Sequence, residues 1–166
     1  GFTDFALRHG ARRVYAVDVG TNQLHHRLRD DRRIILHEKT DIRDFELDCP
    51  PDIIVGDVSF ISLRDILPHV AKRLMGSATV LVAMVKPQFE AGRHLVQKGV
   101  VKNAAIRRKI LTDFEQWAKQ YFVVLDKKDS TVAGSKGNVE RFYKLQLKNN
   151  RGNSCSKNGI VVLKTT

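Results

Sequence analysis

The sequence predicts an α/β fold with a mostly parallel sheet and an antiparallel last strand, and three observations point to it. First, the stretch from Pro51 to Glu90 holds two apolar runs without polar alternation, Ile53-Ile54-Val55 and Val80 to Val85. Each stops at one charged residue, Asp57 or Lys86. Runs of this kind, rich in β-branched residues, suit strands buried on both faces. Second, Leu63, Ile66, Leu67, Val70 and Leu74 recur between them at helical spacing. Strand, helix and strand then form a right-handed βαβ unit, so both strands run the same way. Asp57 and Lys86 emerge side by side at the carboxyl edge, where open α/β sheets bind ligands. Third, Phe122–Leu125 and Val139–Leu147 are strand patterns with no helix between them, which makes an antiparallel pair at the sheet edge.

The opening segment, GFTDFALRHGA, is helical in pattern. Thr3 can cap it, Phe5 and Ala6 can face a core, and Gly10 can end it in the left-handed conformation. It begins without Met and reads as the middle of a structure, so an upstream part is expected. Arg13 to Asp18 is a short strand ending in an acid, followed by Val19-Gly20. An acid there often binds ribose hydroxyls in nucleotide-binding α/β folds, and a helix-capping or solvated acid fits equally well. Thr21 or Asn22 is expected to cap a helix running to Arg29, with Leu24 and Leu28 inward. Ile34 to Leu36 is the next strand, and Glu38 to Arg43 is the turn after it.

Pro87 forces the chain to leave the strand in an extended turn that fixes Lys86. The competing reading is that Asp57 and Lys86 are solvated charges ending core strands. Gln88 to Lys102 is a long loop, as binding loops and lids often are. Asn103 is expected to cap the longest helix, whose apolar face is Ile106, Ile110, Phe114, Trp117 and Tyr121. That aromatic stripe reads as core packing. Lys127 to Asn138 reads as a polar loop, and Glu140 sits where the chain returns to the carboxyl edge. Tyr143, Leu145 and Leu147 alternate onto one side of the last strand. Residues 1–148 are expected to form the domain and residues 149–166 a flexible tail. Gly159 to Leu163 is a candidate for one further short strand.

Charge is the compositional outlier. Lys plus Arg number 29 against 18 Asp plus Glu, a formal net charge of +11 over 166 residues. Such a surface attracts polyanions, nucleic acid foremost. Basic residues such as Arg27, Arg29, Arg32, Arg33, Arg107, Arg108 and Lys109 are spread along the chain rather than gathered in a tail. The longest apolar run, Ala78 to Val85, is too short to span a bilayer. Cys49 and Cys155 lack framework spacing, which favours a reducing, cytoplasmic setting. The six histidines have no cysteine or second ligand at metal spacing, so no metal site is expected. No nucleophile elbow or P-loop is present.

Taken together, GFTDFALRHGARRVYAVDVGTNQL, DVSFISL, VKPQFEAGR and KGNVE resemble the hemolysin A (TlyA) branch of the FtsJ-like ribose 2′-O-methyltransferases. The likeness runs from Gly1 to about Leu147, with the blocks in order. It implies a Rossmann-like, S-adenosylmethionine-dependent enzyme acting on ribosomal RNA or ribosomal subunits, without metal or membrane. Members usually carry a small S4-type RNA-binding domain in front, and a glycine-rich cofactor loop whose last residues match Gly1-Phe2-Thr3-Asp4. The S4 domain, the first strand and most of that loop have no counterpart in this sequence. The missing strand belongs between the strands of Val14–Val17 and Ile53–Val55. A gap there would bury unpaired backbone groups, so Gly159–Leu163 or a second copy of the chain is a candidate to fill it.

The family's catalytic set is Lys-Asp-Lys-Glu. Its first Lys has no match here; the others fall on Asp57, Lys86 and Glu140. The resemblance assigns Gly1, Phe2, Asp18, Asp41 and Asp57 to the cofactor, with Asp18 on its ribose and Asp41 near its adenine, where Asn is the commoner residue. The chemistry suits these types, because a ribose hydroxyl must be aligned with the methyl group and lose a proton. Lys86 is the expected general base, Asp57 its orienting partner, and Glu140 the partner of the other lysine. A lysine acts as base only when burial or neighbouring cations lower its pKa, whereas an adjacent anion opposes this. Two other classes remain. One is a non-catalytic RNA-binding or ribosome-associated module. The other is a membrane-active hemolysin, against which stands the lack of an amphipathic or spanning segment.

Overall fold

The computed structural model describes residues 1–92, 96, 98–134, 136–148 and 159–164. Its strands are β1 (Val14–Asp18), β2 (Ile34–His37), β3 (Ile53–Asp57), β4 (Val80–Val85), β5 (Phe122–Asp129), β6 (Arg141–Leu147) and β7 (Ile160–Lys164). They form one seven-stranded sheet in the order β2-β1-β7-β3-β4-β6-β5. All neighbours are parallel except β6, which runs antiparallel to both β4 and β5. The predicted α/β class with its antiparallel strand is therefore present.

β7 lies within the stretch expected to be a flexible tail. Residues 149–158 and 165–166 of that stretch fall outside the described residues. Ile160, Val161, Val162 and Leu163 instead pair with β1 on one side and β3 on the other, filling the slot that the resemblance left open. The cause is an apolar, β-branched run that both satisfies the backbone of its neighbours and packs on both faces. Val162 packs with Ala6, Leu7 and Val14 on the side of helix α1 (Phe2–Arg8). Val161 and Leu163 join the main core with Val17, Ile54, Leu81 and Phe114.

The helices depart from the periodicity in two places. The helix expected from Thr21 or Asn22 starts only at His26, as α2 (His26–Arg29). Asn22 takes a left-handed φ of 58°, and its N–H donates to Glu38 Oε1 at 2.7 Å, so the loop is tied to β2 before the helix can begin. The apolar face from Leu63 to Leu74 is present but not as a regular helix. A 3-10 turn (Leu63–Asp65) leads into α3 (Leu67–His69) and then a π turn (Val70–Leu74). Pro68 has no N–H to give the Arg64 carbonyl, which separates the 3-10 turn from α3. Leu63, Ile66, Leu67, Val70 and Leu74 are all buried nonetheless. A short helix, α4 (Pro87–Glu90), follows β4 directly. Helix α5 (Ala104–Ala118) begins at Asn103, whose Oδ1 accepts from the N–H groups of Ala105 and Ile106. Its Phe114 ring is buried against Trp117 and Tyr143, so the middle of the aromatic stripe is core packing, whereas Tyr121 at its end is exposed.

β5 runs through Asp129, four residues past the expected end of the strand, and shortens the polar loop. Ion pairs hold the polar half: Lys127 with Glu115 at 2.6 Å, and Asp129 with both Arg107 and Arg141. Cys49 is not isolated as its spacing suggested, because it is disulfide-bonded; Cys155 lies outside the described residues. Cys49 and Gly159 line one hollow at the amino end of the sheet, a proximity that exists only because β7 sits beside β3. No described helix is long and apolar enough to cross a membrane.

Two predictions follow from this packing. Leu163 is buried at the centre of the sheet, so Leu163→Ala should lower unfolding free energy by about 2–5 kcal/mol in denaturant titration. Hydrogen bonding from Arg141, and secondarily from Arg107, lowers the Asp129 carboxyl from 3.8 to about 2. That stabilisation is complete above the ordinary carboxylate value and is lost as pH falls toward 2. Asp129→Asn should therefore lower the melting temperature at pH 7, and the gap to wild type should close between pH 4 and pH 2.

Candidate active site

The charged residues that end the strands collect along the carboxyl edge, above a sheet whose parallel register sets their height. Asp18 of β1 and Asp57 of β3 both lie level with Lys164 of β7. Three adjoining hollows follow this edge. The first, about 210 Å³, is lined by Gly1, Phe2, Asp18, Asp57 and Lys164 among others. The second, about 190 Å³, shares Lys164 and adds Asp41, Ile42, Val58 and Ser59. The third, about 390 Å³, shares Ser59 and Phe60 and adds Lys86, Gln88 and Glu140.

Asp57, Lys86 and Glu140 converge. Lys86 Nζ lies 2.8 Å from Asp57 Oδ1, out of line for a hydrogen bond, and donates to Ser59 Oγ at 2.7 Å. Its side chain is 11% exposed and that of Asp57 20%, so the pair is shielded without being sealed. This excludes the reading of two solvated strand-end charges. Glu140 is buried. Burial pushes its carboxyl above the ordinary range, the Lys86 charge works against that rise, and the Asp57 charge adds to it. Gly134 leaves room for Glu140, since a Cβ there would sit 3.1 Å from Oε1. The buried Asn138 side chain joins the surrounding loops. Its Oδ1 accepts from Val101 N–H at 3.0 Å and its Nδ2 donates to the Gly99 carbonyl at 2.9 Å.

The residues expected at the cofactor divide. Gly1, Phe2, Asp18 and Asp57 share the first hollow. Asp18 Oδ1 accepts from Gly20 N–H at 2.8 Å, whereas its buried Oδ2 has no hydrogen-bond partner among the described residues. Asp41 stands in the second hollow. Its carboxylate is held by Arg43 through two contacts of 2.9 and 2.6 Å, which lower its pKa, and it caps the turn that follows.

Several site residues escaped the sequence reading. Lys164 lay in the presumed tail, and only the pairing of β7 brings it to the edge. Ser59 and Gln88 stand inside the motifs DVSFISL and VKPQFE, yet nothing in their spacing distinguished them. Phe60 is 81% exposed, has a left-handed φ of 65°, and meets Phe89 at 5.2 Å. An exposed aromatic held in that conformation beside the cleft was the one signal available, and it needed the backbone to be seen. Part of the Gln88–Lys102 loop, at residues 93–95 and 97, lies outside the described residues. Among the described residues no cluster of three or more potential metal ligands occurs.

Comparison with known proteins gives a consistent set of relatives. Residues 1–147 match the family model described as FtsJ-like methyltransferase. Hemolysin A of Brachyspira hyodysenteriae is 40% identical over 146 residues, covering 84% of this chain and 60% of that protein. The 23S rRNA (cytidine-2'-O)-methyltransferase TlyA of Campylobacter jejuni is 38% identical, covering 86% of this chain and 56% of that protein. The chain thus spans little more than half the length of these relatives. A solved structure named as a hemolysin from Streptococcus thermophilus superposes with a TM-score of 0.83 at 41% identity, covering 90% of this chain and 56% of that one.

Proposed function

Because the chain belongs to the FtsJ-like methyltransferase family, we propose that its carboxyl-edge cleft transfers a methyl group from S-adenosylmethionine to a ribose 2′-hydroxyl of ribosomal RNA. The observation that carries the reading is the convergence of Lys86, Asp57 and Glu140 at one end of a cleft whose other end holds an unpartnered acid oxygen on Asp18.

That oxygen is the test of whether the residues fit the cofactor. A buried carboxylate oxygen without a donor is costly, and a ribose hydroxyl supplies the donor it lacks. Gly1 and Phe2 wall the same hollow, and Lys164 offers a cation there for a carboxylate. Ile42, Val58 and Ile61 give the second hollow an apolar lining suited to a purine face. Asp41, engaged by Arg43, is suited to hold that wall by capping its turn. When bound, S-adenosylmethionine supplies an electrophilic methyl group.

The chain's own residues do the rest. Asp57 and Ser59 fix the direction of the Lys86 ammonium stem, so that Nζ meets the substrate hydroxyl in one orientation. In its neutral form Lys86 takes the 2′-hydroxyl proton as the oxygen attacks. Glu140 keeps a second carboxylate beside the pair and holds the position of the resulting charge. The exposed Phe60 ring, backed by Phe89, offers a stacking face to the base of the target nucleotide. The +11 charge supplies phosphate contacts along the RNA. Such a substrate implies work beside the ribosome, in the cytoplasm.

Two measurements test this. Calorimetric titration with S-adenosylhomocysteine should give a binding isotherm, and Asp18→Ala should weaken it about 10- to 100-fold, the value of a hydrogen bond to a charged group. Lys86→Ala should cut methyl transfer to ribosomal subunits by about 10²- to 10⁴-fold and leave that isotherm nearly unchanged. Near-normal transfer by Lys86→Ala would remove it as general base. Salt-sensitive RNA binding with no cofactor heat would instead favour the non-catalytic RNA-binding module.

A further inference from the structure

Glu90 has no part in the chemistry above, yet it is among the most deeply enclosed acids in the chain, with a side chain 1% exposed. It ends α4, four residues beyond Lys86, and both its N–H and that of Phe89 return to the Lys86 carbonyl. Its carboxylate reaches across to the loop behind Asp57. Oε2 accepts from Ser62 Oγ at 2.6 Å, and Oε1 accepts from Leu63 N–H at 2.7 Å. Arg64 Nε lies 3.6 Å from Oε2, an ion pair beyond hydrogen-bond length. Ser62 Oγ in turn accepts from Arg64 N–H and caps the 3-10 turn.

The same two loops meet twice more. Lys86 Nζ donates to Ser59 Oγ, and the Phe60 ring packs on Phe89. Residues 59, 60 and 62–63 of one loop thus face residues 86, 89 and 90 of the other, in order. Glu90 closes the end of this ladder away from the ammonium. An enclosed carboxylate is a poor choice for stability alone, since apolar residues of similar volume often serve as well or better. Burial here pushes the Glu90 carboxyl above its ordinary range, a rise that the Ser62 and Leu63 hydrogen bonds and the Arg64 charge oppose. What the carboxylate offers instead is direction: two acceptors aimed at two donors on the loop that carries Ser59.

We propose that Glu90 is a positioning residue for the methyl transfer, clamping the loop behind Asp57 to the loop behind Lys86 so that Ser59 and Asp57 hold the Lys86 ammonium in its reactive direction. The proposal rests on the methyltransferase reading above. Loosening of the clamp shifts Ser59 beside Nζ and leaves Gly1, Phe2 and Asp18 of the first hollow in place; the same loop lines the second hollow through Val58 and Ile61, so the effect falls on turnover more than on cofactor affinity.

The test compares Glu90→Ala, Glu90→Gln and Ser62→Ala/Glu90→Ala with wild type. Readouts are kcat and KM for ribosomal subunits, the S-adenosylhomocysteine isotherm, and hydrogen exchange at the Leu63 amide. Glu90→Ala should lower kcat about 10- to 100-fold, the effect of a small misplacement of a catalytic group, with cofactor affinity within about twofold. Glu90→Gln keeps an acceptor for Leu63 and should recover most of that loss. The double variant should be no slower than Glu90→Ala, because both changes break one link. Unchanged kcat in Glu90→Ala would overturn the proposal, as would a parallel fall of kcat, cofactor affinity and melting temperature in Glu90→Gln. If wild type neither binds cofactor nor transfers methyl, the functional reading fails first. The clamp is then judged at Leu63 alone: lost protection in Glu90→Ala sustains it, and unchanged protection overturns it.

Discussion

A parallel sheet covered on both faces has no water to satisfy a missing strand, and this constraint governs the molecule. β1 and β3 stand two strand spacings apart, roughly 9–10 Å. Only a strand between them can pair both inner edges. β7 does so over its full length, residue by residue against Val14–Asp18 and Ile53–Asp57. The register has a second effect. It levels Asp18, Lys164 and Asp57 on three successive strands, so the two acids stand two strand spacings apart with Lys164 between them. The first hollow along the edge is therefore a product of backbone pairing as much as of its lining side chains.

The electrostatics of the edge follow from that placement. Lys86 lies against Asp57, with Glu140 close enough for its charge to be felt. One cation among two acids leaves a local excess of negative charge inside a chain of net charge +11. The surface and the cleft therefore pull in different directions: the surface gathers phosphates, while the cleft favours a cationic ligand. A methyl sulfonium has that sign.

Much of the fold could be read directly from residue order. The β-branched runs at Ile53–Val55 and Val80–Val85 suit strands buried on both faces, and as parallel strands they carry their terminal charges to the carboxyl edge. Family resemblance at GFTD, DVSFISL and VKPQFE then led to the FtsJ-like methyltransferases, as the comparisons bear out. What escaped was set by tertiary contact. Helix α2 yields its first turns to the Asn22–Glu38 bond, which spans sixteen residues. The end of β5 is charged and reads as loop, yet Glu115 and Arg141 neutralise it from other elements. Asp41 was placed beside the adenine by resemblance alone, and its pairing with Arg43 needed the folded turn to be seen. Ile160–Leu163 looked like a minor strand because its partners lie more than a hundred residues away.

The charged side chains of the cleft sit on strand ends, but their directions are set in loops. A strand fixes where Lys86 leaves the sheet; it does not fix where Nζ points at the end of a four-carbon stem. That is settled by Ser59, which belongs to a loop with a left-handed residue, Phe60, at its tip. A loop of this kind stays in one conformation only when its far side is tied. Glu90 ties it to α4, and on the opposite side of the cleft Asn138 ties the stretch before Glu140 to Gly99 and Val101. Each tie is a buried polar side chain with its hydrogen bonds made to the backbone or to a hydroxyl, and each lies one residue layer behind a charged group of the cleft. The rigid sheet supplies position and these buried ties supply direction, so the precision of the cleft rests on residues that a substrate never meets.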